Sequence, residues 1–353
     1  MSIAKGSSST AAGGTEFSDD LSQGFIADAE DLTPGIGPWR LAGKRLRRNK
    51  VALAFGALFL VIALICLLAP VYANDIAHTT PSYGNPTGQI TVGGKKEYIL
   101  SLASIPIGPT FHSQYFLGAD GNGRDVAVRL LYGGRNSLEI GFVATLLTMI
   151  IAIILGIVSG FYRGVTDGII SRIMDVLWAY PAVLLGVAIG VSLAVGGINL
   201  GLFTVSGNTL LVPAFIIGIV YIPYVAKPVR GQVLVLRERE FVDAARQQGL
   251  SNLRIMFSEI LPNLSSTIIV FVPLILANAI LLEAGLSYLG AGVQPPNPSW
   301  GTMISDGINT IPSAFHNVLV PGIMLVLAVL SINVFGDGLR DALDPRAKVR
   351  ITH

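Results

Sequence analysis

Glu283 is the residue whose placement costs most. It stands near the end of an apolar run, 267–286, long enough to cross a bilayer. An ionisable group at membrane depth is expensive and counts by default as a site. Two roles are open to it: contact with a substrate amine, or a structural hydrogen bond, for instance to the loop around Trp300. Other reactive chemistry is thin. The four histidines, His78, His112, His316 and His353, fall in loops or tails, and Asp175 stands alone at the edge of an apolar run. The paired aspartates, Ser/His dyad or zinc-binding helix of an intramembrane protease are therefore not found, and neither a catalytic residue nor a metal site is assigned. The single cysteine, Cys66, lies within an apolar run, so an intrachain disulfide and a Cys-x-x-Cys metal site are excluded; it reads as a small buried hydrophobe. Gly93-Gly94-Lys95-Lys96 lacks the Gly-x-x-x-x-Gly-Lys-Ser/Thr spacing that cradles phosphates. This chain is therefore not expected to hydrolyse a nucleotide through such a loop.

The segment 227–263 offers mechanical chemistry. It is too polar to lie in a membrane and too apolar for a disordered linker. Val233, Leu234, Leu236, Phe241, Val242 and Ala245 recur at near-helical spacing. Gly249 then breaks the helix where a left-handed cap is cheapest. Ser251 is a plausible N-cap for a second short helix, 252–258, which Pro262 is expected to end. The result is a helix–turn–helix with charges on one side and an apolar stripe on the other, suited to a partner's groove or to lipid headgroups.

The elements that must position these residues are membrane helices. Of 353 residues, 52% are hydrophobic and only 13% charged, about half the charge content of a soluble domain. The net charge of +2, with no basic run interleaved with aromatics, argues against a nucleic-acid partner. Six runs reach bilayer-spanning length: 51–72, 138–162, 173–195, 210–226, 267–286 and 318–334. Nineteen of the 24 Lys and Arg residues fall on one side of them: seven before the first run, two between the second and third, six between the fourth and fifth, and four after the sixth. Basic residues favour the cytoplasm, so both termini are expected there. Pro181, Pro213 and Pro223 interrupt the third and fourth runs; such kinks suit a moving pathway and also occur in static bundles. Gly156/Gly160 and Gly186/Gly190 set two glycines on one helix face, read as close packing within the bundle.

Asp243-Ala244-Ala245, then Gly249, then Ile260-Leu261-Pro262 resembles the "EAA" loop of ATP-binding-cassette importer permeases. Arg230-Gly231-Gln232 followed by Arg237-Glu238-Arg239-Glu240-Phe241-Val242 is similar to the loop of the peptide/nickel branch. So are Leu117-Gly118-Ala119-Asp120, Gly123-Arg124-Asp125-Val126, Gly133-Gly134-Arg135-Asn136-Ser137-Leu138, the run from Glu283 to Gly290 continuing to Trp300-Gly301, and 336–346. The resemblance covers about residues 44–346, and is nearest to the C-type subunit of dipeptide/oligopeptide permeases. Departures are Asp243 for the usual Glu, Lys227, Gly285 for a usual Ala, and the stretch 73–115 and the N-terminal tail, which match no part of the pattern.

The resemblance implies an all-α polytopic permease fold with six transmembrane helices. Composition, hydropathy and the basic bias divide the chain into an expected disordered cytoplasmic tail (1–43), a first transmembrane helix (44–72), an extracytoplasmic loop (73–136), a five-helix domain (137–338) containing the cytoplasmic loop 227–263, and a cytoplasmic C-terminal tail (339–353). The resemblance implies a second, B-type permease subunit, two ATP-binding subunits that hold ATP and Mg, an extracytoplasmic binding protein, and the bilayer as partners, with no cofactor on this chain. Arg237, Glu240, Asp243, Ala244, Ala245, Gly249, Leu261 and Pro262 would couple to the ATPase. Glu283 recurs in the motif whatever the cargo, which favours the structural hydrogen bond. For Asp120, Gly123, Arg124, Asp125, Arg129 and Arg135, ion pairs capping the outer face are the favoured reading, and contact with the binding protein or cargo the alternative. Peptide is the expected cargo; nickel chelates, glutathione and sugars stay open, and a gradient-driven secondary transporter is a more distant alternative.

Overall fold

The computed structural model describes residues 38–196, 198–199, 204–205, 207 and 209–343. The N-terminal tail up to residue 37 and the C-terminal residues 344–353 lie outside the described residues. The helix α1 spans Pro38–Arg48, so the chain is already ordered before residue 44, and the last helix runs beyond 338 to Leu343. Asn49 separates α1 from α2, Lys50–Leu67, and its side chain caps α2 by accepting from Ala52 N at 3.0 Å. A helical turn at Ala69–Val71 and a π turn at Tyr72–Ala77 close this first span.

The stretch that matched no motif contains a hairpin, β1 Gln89–Val92 with β2 Lys95–Tyr98, in antiparallel register. Gly93 and Gly94 join them with φ of 55° and 80°. Two successive left-handed residues are what a two-residue hairpin turn needs, which is the role of this Gly-Gly pair. The all-α expectation is corrected here, and again at a two-residue pair, β3 Ile198–Asn199 with β4 Thr204–Val205.

α3 runs Val126–Tyr162, twelve residues ahead of the apolar run at 138. Asp125 starts it, its Oδ1 accepting from Ala127 N (2.9 Å) and Val128 N (3.2 Å). Thirty-seven residues make a rod of about 55 Å, so α3 projects past a bilayer core. The third run is not one helix. α4, Gly164–Ala179, and α5, Ala182–Gly196, meet at a 91° bend. Pro181 has no N–H to continue α4, and Tyr180 before it is extended (φ −94°, ψ 136°). The described residues thus hold five helices long and apolar enough to span, or six if the bent pair is one span.

α6, Leu211–Val220, leads directly into α7, Ile222–Leu236; α8 is Glu240–Gln247 and α9 Asn252–Ile255. α9 passes through a π turn, Met256–Ile260, into α10, Leu261–Tyr288. Pro262 therefore does not end the element. It sits in the first turn of α10, where its missing N–H matters least. α11 is Trp300–Gly307 and α12 His316–Leu343.

Two apolar cores share α3 and α10. One, with Ile140, Ile157, Ile217, Val229, Ile260 and Leu286, joins α3 to α6, α7 and α10. The other, with Ile62, Cys66, Leu130, Ile280, Trp300 and Ile332, joins α3 and α10 to α2, α11 and α12. Gly156 and Gly160 let α7 close on α3: a Cβ at either would lie 2.7 Å from Val229 or Val233.

Candidate functional site

The segment following α7 forms a built surface at the end of the bundle where the basic residues concentrate. Arg237 anchors its start, donating from Nη1 to the Phe161 carbonyl of α3, while Glu238 pairs with Arg163 at 3.1 Å. α8 seats Val242 and Ala245 in the core. Its other face, with Glu240, Asp243 and Ala244, is exposed. Asp243 holds Arg246 at 3.0 Å, one turn away as helical neighbours are.

Gly249 terminates α8 with φ of 79°. Its N–H donates to Arg246 O (2.9 Å) and that of Leu250 to Ala245 O (3.2 Å), a left-handed cap that satisfies both orphan carbonyls. Ser251 then caps α9, its Oγ accepting from Arg254 N at 3.4 Å. Ile255, Met256 and Ile260 turn inward; Leu253 and Phe257, four apart, are 62% and 64% exposed. Leu261 is half-buried and Pro262 exposed. All eight residues singled out along this segment thus gather at one end, with Ala245 supporting from inside. Sequence reasoning missed the apolar pair Leu253/Phe257, which only the register of the π turn distinguishes from the core residues beside it.

Charged contacts tie this surface to the spans. Arg230 of α7 grips Asp167 of α4 through both carboxylate oxygens, at 2.5 and 2.6 Å. One turn earlier Lys227 meets Asp175 at 2.7 Å and lies 4.3 Å over the Trp178 ring. These paired, charge-assisted contacts join α7 to α4 at two successive turns. Asp167 and its partner are far apart in sequence, so no periodicity signals the pair.

The residues singled out between 120 and 135 do not act as one group. Asp120, Arg124 and Arg129 form a network closed by Asp306 of α11: Arg124 reaches Asp120 at 2.6 Å and Asp306 at 2.8 Å, and Arg129 reaches Asp306 at 3.0 Å. Asp125 makes no ion pair there. It caps α3 and accepts from Tyr115 N at 2.6 Å. Burial raises the Asp125 carboxyl above its ordinary value against the pull of those backbone donors. Burial, with the nearby Asp125, Tyr83 and Asp120 charges, pushes the Tyr115 hydroxyl up to about 12. Gly123 turns the chain before the cap at φ 73°. Arg135 stands apart, lining a groove with Cys66 and Glu139. Asp306 was invisible to sequence reading, since nothing local marks it as the partner of residues some 180 positions away.

Arg129 is almost wholly buried while Asp306 is partly exposed. Asp306→Asn leaves two guanidinium groups with one carboxylate. It is expected to lower stability by about 1–2 kcal/mol, because loss of one partner strands a buried charge while solvent screens the exposed one. Thermal unfolding of the solubilised chain checks this; an unchanged midpoint would show that water replaces the carboxylate.

Glu283 is fully buried in α10. Ser287 Oγ donates to its Oε1 at 2.6 Å, and the Ser137 and Ser299 hydroxyls adjoin it. Ser299 caps α11 and precedes Trp300, whose N–H donates to Ser137 Oγ (3.3 Å) and whose Nε1 donates to Leu130 O (3.2 Å). Glu283 thus lies at the junction of α3, α10 and α11, facing the interior of this chain.

These features define a class: a polytopic helical membrane protein with an ion-pair network at one end of its spans and a short helix–turn–helix with an exposed face at the other. Residues 152–349 match the family described as binding-protein-dependent transport system inner membrane component, and residues 37–86 match the N-terminal membrane domain of oligopeptide transport permease C. The dipeptide transport system permease protein DppC of Alkalihalophilus pseudofirmus is 38% identical over 319 residues, 90% of this chain and 93% of that protein. The glutathione transport system permease protein GsiD of Salmonella typhimurium is 38% identical over 311 residues, 88% of this chain and 91% of its own. Among solved structures, a chain of the inward-facing MetNI methionine ABC transporter is similar at 18% identity and a TM-score of 0.49, covering 61% of this chain and 96% of that one. This chain belongs to the binding-protein-dependent inner-membrane permease family. It is a multi-pass membrane transport component, and not an enzyme.

Proposed function

We propose that this chain forms half of the translocation pathway of an ATP-driven importer for peptides. The α8–α9 surface is the lever through which separate ATPase subunits move the spans. One observation carries the reading: a rigidly seated helix–turn–helix, buried through Val242, Ala245, Ile255 and Ile260, exposes Glu240, Asp243, Ala244, Leu253 and Phe257 on one surface, where Asp243 pairs only with its helical neighbour Arg246 among the described residues. A purely structural scaffold has no use for such a surface, whereas an exposed Phe/Leu pair rimmed by charge fits a partner's groove. The other half is supplied by a second, B-type permease subunit. Two ATP-binding subunits carry ATP and Mg, and an extracytoplasmic binding protein delivers cargo. Both termini and the lever face the cytoplasm, as the basic bias favours, with the Asp120–Arg124–Arg129–Asp306 network at the outer surface. Peptide cargo is supported by the dipeptide permease among the relatives.

Reconstitution tests this. The chain, its sister permease, both ATPases and the binding protein in proteoliposomes are expected to take up peptide with ATP and to ignore a proton ionophore. The chain alone should move nothing. In a Cys66→Ser background, Ser251→Cys should be labelled by an impermeant maleimide only from the ATPase side. Uptake driven by a proton gradient without ATP, or labelling from the other side, rules the reading out.

A further inference from the structure

α1 carries Arg40, Lys44, Arg45, Arg47 and Arg48, and Lys50 opens α2. No acidic residue occurs between Pro38 and Asp75. The helix is fixed in place. Ala42 is buried and Leu46 half-buried, and at the corner with α2 a Cβ on Gly338 of α12 would lie 2.2 Å from that of Ala52 and 3.1 Å from Asn49 Nδ2. This close approach fixes the start of α2 on the end of α12, and α1 itself packs against α12. The remaining face is open: Arg40, Lys44, Arg47, Arg48 and Lys50 are exposed, and none of them enters an ion pair among the described residues. Trp39 is 54% exposed beside them. The span α2 begins two residues after α1 ends, so this face stands at the rim of the hydrocarbon layer.

Indole rings settle at the headgroup level of a bilayer, and basic clusters next to a span attract acidic headgroups with about 1 kcal/mol per residue. We propose that α1 is an anionic-phospholipid site, seating Trp39 among the headgroups and gathering acidic lipids against the end of α12. The competing occupant is the chain's own segment 1–37, which bears Glu16, Asp19, Asp20, Asp28, Glu30 and Asp31 against a single Lys5. Lipid is favoured because charge pairing with that segment gives no reason for an exposed indole beside the start of a span.

The test uses the full chain in nanodiscs containing either dansyl-phosphatidylglycerol or dansyl-phosphatidylcholine at equal mole fraction. Energy transfer from Trp39 is taken as the difference between the wild type and Trp39→Phe. Transfer to the anionic lipid is expected to exceed transfer to the zwitterionic one at least threefold, and the excess should vanish in about 0.5 M salt, where the screening length is a few Å. Replacing Arg40, Lys44, Arg47 and Arg48 together by Gln should bring the ratio to one. Lys at the three arginine positions should keep it, since headgroup attraction follows charge. A ratio of one in the wild type overturns the proposal. A ratio above one that appears only when residues 1–37 are deleted overturns it as well, because the acidic segment then holds the site.

Discussion

Gly249→Val is expected to leave the chain folded and inserted while cutting ATP-driven uptake at least tenfold. The residue holds φ of 79° between α8 and α9, a conformation that costs a non-glycine residue about 1–2 kcal/mol and a β-branched one more. Beyond the adjoining backbone, no heavy atom lies within 4 Å of the position a Cβ would take, so valine meets strain but no clash with the rest of the chain. The strain is relieved most cheaply by unwinding the turn and losing the bonds from Gly249 N and Leu250 N to the end of α8. Val242, Ala245, Ile255 and Ile260 keep the core intact, but the exposed residues of α8 and α9 lose their fixed spacing. Gly249→Asn, which tolerates the left-handed region, should retain most activity. Valine-variant complexes with normal uptake and normal substrate-stimulated ATP turnover would show that this turn transmits nothing.

The second large effect is expected inside the bundle. Gly160→Leu puts a Cβ 2.7 Å from Val233 Cβ and 2.9 Å from the Arg230 carbonyl oxygen. The backbone contact cannot be relieved by a rotamer change, so α7 must move off α3. Overpacking of this kind costs about 3 kcal/mol, and for a chain of this size lowers the unfolding midpoint by about 4 °C. Gly168→Leu, where the space around the glycine is open, should do little. Combining Gly160→Ala with Val233→Gly, which removes the Cβ met at 2.7 Å, should cost less than the two single losses added together, and that coupling identifies the contact. Strictly additive losses in thermal unfolding would mean that the helices do not touch there.

Arg230 and Lys227 make the second effect relevant to the first. The helix that Gly160 admits is the one whose basic residues grip Asp167 and Asp175 of α4. A shift of α7 thus reaches both the lever and the broken third segment. Of the three prolines in the middle spans, Pro181 makes the sharp break; Pro213 and Pro223 lie within or at the start of continuous helices.

Sequence alone determined which stretches are apolar enough to span, where the polar helix–turn–helix lies, and its internal punctuation. Hydropathy is additive along the chain, and Gly249 and Ser251 act on their own backbone within a few residues, so local chemistry is enough. It also marked Asp125, Arg124 and Arg129 as a group, without saying that the first is a helix cap and the others an ion network. Only the tertiary structure decided that Asp306 closes that network, that Asp167 holds Arg230, and that Glu283 faces Ser137 and Ser299 inside the chain. Each of those contacts joins residues from separate helices, and a polar pair between helices leaves no periodic trace in either. The same holds for helix ends within the membrane. An apolar window averages across the 91° break at Pro181 and stops short of the polar first turns of α3, whereas a capping carboxylate and a missing N–H act at single residues.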